Sequence, residues 1–586
     1  GHYRATVSSV TDISGNVLSD ATSWMFDIRI PNQWIANTGG IFGTGSNWSE
    51  GGIRDLDRLI IDVPGDPENI TYNSGTYSIE SMQSEENFIL DGRVFNISSE
   101  AVVNGLFTWT GQSTLDGGGV LRANGGLAIN STGSNKWIRN IQVLVDGSST
   151  WINGSILFME LGSLLHYTEN STLEIMNDNF VNLVSSASDY PAGLINDGSF
   201  IKKGPGEFRI NLPFQHNGTL DIQEGTFEVY DAKMTGPGTI TVRSGGTFAA
   251  HLTTTFDDRF PLLETPLVLE DGGTLSLRTA YLRTADGIGI TGNGIIALGK
   301  SDFYNTGSTF ETNGDIVSEQ FNFMNSSSAI LDGTTHTKTV LMEADDEVGL
   351  SGTGVFEISE ALIWNYGYMT GGGITKLLET TTTNINQDFG LGLGDRTLEI
   401  YGEFIAEGGF MRLVNAKKAT IQIMPGATWR HQNDFQFLGT GATGYVDWFV
   451  INEGTYTKEG DVGITQNRIN LENRGTLNLD YGFMRADFRF IQTEDGVVNL
   501  PVQSAPGTDL SNGSISFGNG FLDGTLNIQL AEGFVPEIGA QYTIFAGSSI
   551  EGTFASVNGL EIAADRKFEL EYWNDRRVYL NVVAIP

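Results

Sequence analysis

Residues 198–227, GSFIKKGPGEFRINLPFQHNGTLDIQEGTF, carry the pattern that decides the fold. They contain three short segments in which apolar and polar residues alternate, at 199–202, 207–212 and 219–223, and Gly, Pro or Asn separates them. Alternation with a period of two places one set of side chains on one face of an extended strand, and glycine permits tight turns between strands. The stretch therefore predicts a coil of β-sheet with an inward set made of Phe200, Phe208, Ile210, Leu220 and Ile222.

The same pattern returns later in the chain. Residues 196–204, NDGSFIKKG, match 452–460, NEGTYTKEG, and GTLDI at 218–222 matches GTLNL at 475–479. Further upstream, a Trp segment followed by Gly-Gly-Gly also occurs twice, as Phe107-Thr108-Trp109 with 117–119 and as Leu362-Ile363-Trp364 with 371–373. Two related repeats, at about 104–250 and 360–500, are the sequence signature of a solenoid.

These motifs resemble a known group of proteins. GSFIKKGPGEFRI followed by NGTLDIQEGTF looks like the strand repeat associated with autotransporter passengers, although Lys203 and Glu459 stand where its turn often carries Thr. The longer repeat, with its Trp, its Gly-Gly-Gly and its closing N-(D/E)-G-(S/T)-aromatic, resembles the large β-helical exoproteins of bacterial surfaces. The resemblance implies an extracellular or cell-surface location. It implies no catalytic residues, because the matching motifs contain none.

Length and composition favour one long repeat array. The chain has 586 residues with 75 glycines and 14 prolines, so turns are frequent, and 39% apolar residues supply a continuous core. We predict an all-β fold, an elongated right-handed parallel β-helix (β-solenoid) with some 20 to 25 coils of roughly 20 residues each. The predicted domains are an N-terminal β cap at 1–70, the β-solenoid at 71–505 and a C-terminal β module at 506–586.

The charge and the cysteine count exclude several classes of function. Seventy acidic residues against 33 basic ones give a net charge of -37, which repels nucleic acid. The acidic residues either keep the solenoid soluble or bind scattered structural calcium in turns; no other cofactor is predicted. The absence of cysteine excludes disulfides and zinc-thiolate sites.

No apolar run reaches the roughly 18 residues that span a membrane, so we predict no direct membrane insertion. The start at Gly1 suggests a processed product or a fragment.

No catalytic, cofactor-binding or metal-binding residues are predicted. The densest carboxylate clusters are Asp257-Asp258 beside Arg259, and Asp345-Asp346 with Glu343 and Glu347. A β-helical polysaccharide hydrolase would need two such carboxyls flanking a glycosidic bond, whereas acidic turns are usually just solvated. Residues 439–444, GTGATG, match a dinucleotide fingerprint, but the residues that follow read as a strand and not as the required helix.

The histidines, tryptophans and threonine runs also favour structural explanations over a functional site. The six histidines have no metal-binding spacing, and we expect them to face solvent or pack between strands: His2, His166, His216, His251, His336 and His431. Trp109 and Trp364 recur at equivalent places and are predicted to lie in the core. The threonine runs 253–255 and 380–383 lie along single strands, whereas an ice-binding surface needs threonine at one place on consecutive coils.

The sequence therefore predicts a secreted or cell-surface structural or adhesive β-solenoid: a stalk, filament subunit or adhesin without catalytic activity. Its expected partners are further copies of itself in fibres or oligomers, and surface glycans. The alternative is a β-helical polysaccharide-degrading enzyme or a tailspike-like carbohydrate-binding protein. Turnover in reducing-end and unsaturation assays separates the two hypotheses.

Overall fold

The computed structural model describes most of the chain. The described residues are 2–7, 22–27, 30–130, 133–154, 156–160, 162–185, 192–251, 262–278, 281–298, 308–344, 349–385, 391–407, 410–413, 418–432, 435–439, 448–459, 465–467, 469–507 and 512–586.

The protein is an all-β parallel solenoid of about 17 turns, which confirms the predicted fold class. It forms two compact units, 1–238 and 239–586. Many coils are longer than the predicted length of roughly 20 residues. Thr219 lies 20 residues after its coil neighbour Ser199, but Ile451 lies 29 residues after its coil neighbour Gln422. The right-handed winding, the N-terminal cap and the domain boundaries stay predictions.

The stretch 198–227 forms the predicted coil. Its strands are Ser199–Lys202, Glu207–Asn211, Phe214–His216, Thr219–Ile222 and Gly225–Tyr230. Each strand pairs in parallel with the strand three places later, so Phe200 lies beside Leu220 and Phe208 beside Phe227. Three strands therefore make one turn of the solenoid. All five side chains of the predicted inward set are buried.

The chain turns sharply between some neighbouring strands. Residues 120–129 form Val120–Ala123 and Leu127–Asn130, because the chain turns at Gly126, whose φ is 105°. Residues 137–145 likewise form Lys136–Arg139 and Gln142–Val145, and Asn140 between them has a φ of 49°. Left-handed φ values suit Gly and Asn, which therefore mark corners of the coil.

The Gly-Thr-Leu motif of each repeat requires glycine for a steric reason. A Cβ added to Gly218 would lie 1.9 Å from the carbonyl oxygen of Gly198, and one added to Gly475 would lie 2.2 Å from that of Gly454. Gly198 and Gly454 also occupy equivalent places in the two repeats. Neighbouring coils thus meet backbone to backbone at this corner, where no side chain fits.

The core of each unit consists of inward side chains stacked from coil to coil. In the first unit the rings of Phe208 and Phe227 stack with centroids 5.6 Å apart. In the second unit Phe404 stacks on Trp429 at 4.3 Å. Trp109 and Trp364 are fully buried, which confirms their predicted core positions. Stacked aromatic pairs of this kind contribute about 0.5–1.5 kcal/mol beyond the area that they bury.

Two parts of the second unit position the surfaces discussed below. The first is a seven-stranded parallel sheet made of Glu403–Ala406, Thr428–His431, Thr455–Lys458, Thr476–Leu479, Val497–Val502, Thr525–Leu530 and Ser556–Asn558. The second is the C-terminal hairpin, in which Arg566–Trp573 pairs antiparallel with Arg577–Ala584. Gln541–Gly552 pairs antiparallel with the second strand of this hairpin and parallel with Ser514–Leu522.

Candidate functional site

Most of the carboxylates considered for catalysis lie outside the described residues. This holds for Asp257, Asp258, Asp345, Asp346 and Glu347, and also for the neighbouring Arg259. Glu343 is described; it is exposed and accepts a hydrogen bond from Asn365 Nδ2 at 3.1 Å. Of the glycine-rich stretch 439–444, only Gly439 is described, as the last residue of the strand Gln436–Gly439.

Four of the described histidines contact residues of other types. His166 Nε2 lies 2.6 Å from Asp197 Oδ2, and His336 Nδ1 lies 2.7 Å from Glu357 Oε2. Two others are fully buried between strands: Asn196 lies 3.1 Å from His216 Nδ1, and the hydroxyl of Tyr456 lies 2.8 Å from His431 Nδ1. In the described part of the chain, no three His, Asp or Glu side chains form a group that could hold a metal ion. Calcium binding stays a hypothesis.

Buried cations are held by the backbone of the coils. Lys202 and Lys458 are fully buried at equivalent places in the two repeats. Lys202 Nζ donates to the carbonyl oxygen of Glu224 at 3.3 Å, and Lys458 Nζ donates to that of Tyr481 at 3.4 Å. Burial lowers the pKa of Lys202 to about 8.

Arg396 is a third buried cation, in the second unit. Its guanidinium donates to the hydroxyl of Thr375 at 2.8 Å and to four backbone carbonyl oxygens, those of Gly352, Gly354, Thr370 and Ile374. Burial lowers its pKa to about 10. These contacts tie three successive coils together and occupy all the nitrogens of the guanidinium. Arg396 is therefore part of the scaffold.

Amide side chains inside the second unit form an interior ladder. Asn452 Nδ2 donates to Asn473 Oδ1 at 2.7 Å, and Asn473 Nδ2 donates to Gln492 Oε1 at 2.8 Å. The same nitrogens donate to the carbonyl oxygens of Thr476 and Val497 in the next coil. All three amide residues are buried. The interior ladder satisfies the side-chain nitrogens of Asn452 and Asn473, which would otherwise be costly to bury.

A second series of amides lies on the outer face of the seven-stranded sheet, and we call it the exterior ladder. Asn499 Nδ2 donates to Asn478 Oδ1 at 2.6 Å, Asn527 Nδ2 to Asn499 Oδ1 at 2.7 Å, and Asn558 Nδ2 to Asn527 Oδ1 at 2.8 Å. Asn478 continues the series by donating to Thr457 Oγ1 at 3.2 Å. The exterior ladder therefore links five consecutive strands through their side chains.

A row of hydroxyl groups, the hydroxyl rank, runs beside the exterior ladder. It lies two residues earlier on each strand and consists of Thr428, Thr455, Thr476, Thr525 and Ser556, with Val497 in line. Among the described residues, no hydrogen bond engages the threonine hydroxyls of this rank. Threonine thus does occur at one place on consecutive coils, although not in the runs singled out from the sequence. In the run 380–383, Thr381 is buried and bonds to the carbonyl oxygen of Ile358.

The C-terminal hairpin presents the most exposed tryptophan among the described residues. The side chain of Trp573 is 44% exposed and lies directly opposite Arg577. On the same face, Arg577 Nη1 donates to the hydroxyl of Tyr579 at 3.0 Å, and the rings of Trp573 and Tyr579 lie 6.3 Å apart. Asn581 Nδ2 donates to Glu571 Oε2 at 2.8 Å. We call these five residues the hairpin face.

Sequence reasoning missed the hairpin face, although a signal for it exists. Residues 577–582, RVYLNV, alternate between polar or aromatic residues and aliphatic ones, which separates an outward set from an inward set. Val578, Leu580 and Val582 are buried, so the residues between them must point outward. Asn574 and Asp575 have φ values of 50° and form the turn that joins the two strands.

No protein-family model and no curated protein sequence matches this chain. Among the described residues, no helix is long and apolar enough to cross a membrane.

Proposed function

We propose that the protein is a structural and adhesive β-solenoid, secreted or displayed on a cell surface, that performs no catalysis. One observation carries this proposal: side chains at equivalent positions bond from coil to coil, in the interior ladder and in the exterior ladder. Side-chain ladders add to the backbone hydrogen bonds that already join the coils. A stack joined in this way resists extension and holds its outward groups in fixed positions.

The extracellular or cell-surface location is supported by the resemblance of the repeats to bacterial β-helical exoproteins. Nucleic acid is not proposed as a partner, because a net charge of -37 repels the phosphate backbone. Further copies of the chain are proposed as partners because the ends of a solenoid are sheet edges, which pair readily. Surface glycans are the second proposed partner, and structural calcium in acidic turns is the proposed ion.

A panel of acidic and neutral polysaccharides tests the absence of catalysis. The full chain is incubated with each polymer, and new reducing ends and unsaturated products are measured. We expect no product from any polymer. Turnover that disappears in Asp257→Asn or Asp345→Asn would replace the proposal with the alternative, a polysaccharide-degrading enzyme.

A second candidate, ice binding, is favoured by the hydroxyl rank. Its free hydroxyls lie on neighbouring strands about 4.8 Å apart at Thr428, Thr455 and Thr476, and again after Val497 at Thr525 and Ser556. Thermal hysteresis of the full chain is the test. If this candidate is right, Thr476→Tyr abolishes the hysteresis, whereas Thr397→Tyr, an outward threonine on a different sheet of the second unit, preserves it. Absence of hysteresis in the wild type rejects it.

A further inference from the structure

Residues on the hairpin face combine an exposed aromatic ring with hydrogen-bonding groups of both kinds. Trp573 is nearly half exposed, and its only ring contact among the described residues is with Tyr579. Arg577 uses one of its five N–H donors on the Tyr579 hydroxyl, which leaves the others for a ligand. Glu571 accepts one hydrogen bond from Asn581 through Oε2, which leaves Oε1 as a free acceptor.

The face is held in place from both sides. Gln541 Nε2 donates to Asn581 Oδ1 at 2.9 Å, and Asn581 in turn donates to Glu571. The buried residues Val578 and Leu580 fix the strand that carries Arg577 and Tyr579. Groups fixed before binding lose little entropy when a ligand arrives, so this arrangement suits recognition.

The charges of the face identify the kind of ligand. Arg577 and Glu571 balance each other within it, whereas the whole chain carries a net charge of -37. A polyanionic ligand is disfavoured, because both the Glu571 carboxylate and the negative net charge of the protein would repel it. A neutral sugar needs an aromatic surface for its C–H groups and both donors and acceptors for its hydroxyls, which Trp573, Arg577 and Glu571 supply together.

We infer that the hairpin face is a binding site for a neutral polysaccharide, with a sugar ring stacked on Trp573 and its hydroxyls bonded to Arg577 and Glu571. This inference rests on the proposed adhesive function and names the class of its glycan partner. The alternative role of Trp573 is structural, because its diagonal contact with Tyr579 across the hairpin also stabilises the two strands.

Affinity electrophoresis of the full chain tests the inference. Native gels contain dextran, galactomannan or mixed-linkage β-glucan as neutral probes, and polygalacturonate as the acidic probe. We expect at least one neutral polymer to retard the wild type. Trp573→Ala should weaken that binding about tenfold or more, because the stacking surface is lost. Phe521→Ala removes an exposed aromatic ring from a solenoid strand and should change nothing.

Two further variants separate a binding role from a structural one. Arg577→Gln and Glu571→Gln leave the Trp573–Tyr579 pair intact, and both should weaken binding while the far-UV circular dichroism and the unfolding midpoint stay those of the wild type. Unchanged affinity in both, or in a folded Trp573→Ala, overturns the inference. Three other results overturn it too: no retardation by any neutral polymer, stronger retardation by polygalacturonate, or binding to anionic phospholipid vesicles alone.

The electrophoresis also keeps this inference apart from the proposed function. Absence of binding removes the glycan site but leaves the structural role of the coil-to-coil ladders. Release of sugar products by a chain that binds through the hairpin face would have the opposite effect: the site would stand, and the non-catalytic role would fall.

Discussion

Lys202 and Lys458 make the same contact in two different repeats. Each is fully buried, and each donates through Nζ to the backbone carbonyl oxygen two positions after the Gly-Thr-Leu strand of the next coil, at Glu224 and Tyr481. Burying a lysine ammonium costs free energy unless it is hydrogen-bonded. In both copies of the repeat, the hydrogen bond from Nζ to the next coil offsets part of this desolvation cost.

Burial of Lys202 makes stability depend on pH. Its pKa falls from 10.5 to about 8 in the folded chain. Between pH 8 and 10.5 the unfolded chain binds more protons than the folded one, so stability rises with pH in this window. Lys202→Met should remove a rise that is on the order of 3 kcal/mol at most. Urea unfolding at several pH values measures it.

Lys203→Met is the control for this prediction. Lys203 follows Lys202 in the chain but is partly exposed and pairs with Glu174. This variant should keep the rise in stability between pH 8 and 10.5. A Lys202→Met protein whose unfolding midpoint rises as steeply as that of the wild type would contradict the role given to Lys202.

Burial of His431 has its effect at lower pH. Its pKa is lowered to about 3, first by burial and then by the nearby Lys458. Below pH 6.5 the His431 imidazole binds a proton in the unfolded chain but stays neutral in the folded chain. The free energy of unfolding therefore decreases as the pH falls from 6.5 towards 3. His431→Gln should therefore lose less stability than the wild type over this range. His336→Gln, which changes an exposed histidine, should follow the wild type; equal slopes for both variants would refute the assignment.

The close approach at Gly218 should make this position intolerant of any side chain. A Cβ there would meet the Gly198 carbonyl oxygen, so Gly218→Ala forces two coils apart and should cost about 2 kcal/mol or more. Gly193→Ala is the matched control in the same unit, because the nearest atom to its Cβ would lie 3.6 Å away. Its effect should stay within about 0.5 kcal/mol. Thermal unfolding compares the two, and similar midpoints would show that the coils can separate without cost.

The exterior ladder should contribute measurably to stability. Asn499→Ala removes one hydrogen bond to Asn478 and one from Asn527, which should cost about 1–3 kcal/mol. Thr476→Val removes a hydroxyl that has no hydrogen-bond partner among the described residues, and it keeps the β-branched shape. It should change stability by less than about 0.5 kcal/mol. Chemical unfolding of both variants is the measurement, and a neutral Asn499→Ala would mean that water replaces the amide contacts.

The coils and the core could be predicted from the sequence because both depend on local alternation. The inward set around Phe200 and the core positions of Trp109 and Trp364 followed from it. The length of each coil could not, because alternation does not show how many residues the chain places in the loop at a corner. A turn such as the one at Gly126 is also hard to predict, since the alternation continues in the same phase on both sides of it.

The ladders could not be predicted for a different reason. Asn499 lies 21 residues after Asn478, but Asn527 lies 28 residues after Asn499. No fixed interval relates the three asparagines, and only the strand register of the folded chain brings them together. The hairpin face shows the same limit: alternation places Trp573 on the outside, but its neighbours Arg577 and Tyr579 come from the opposite strand.

The unequal lengths of the coils have a consequence for how such a chain can change. Strands stay in register although the intervening segments differ by several residues, so an insertion at a corner disturbs only its own loop. During evolution, new binding loops could therefore be inserted at single corners while the paired strands of the solenoid stay unchanged.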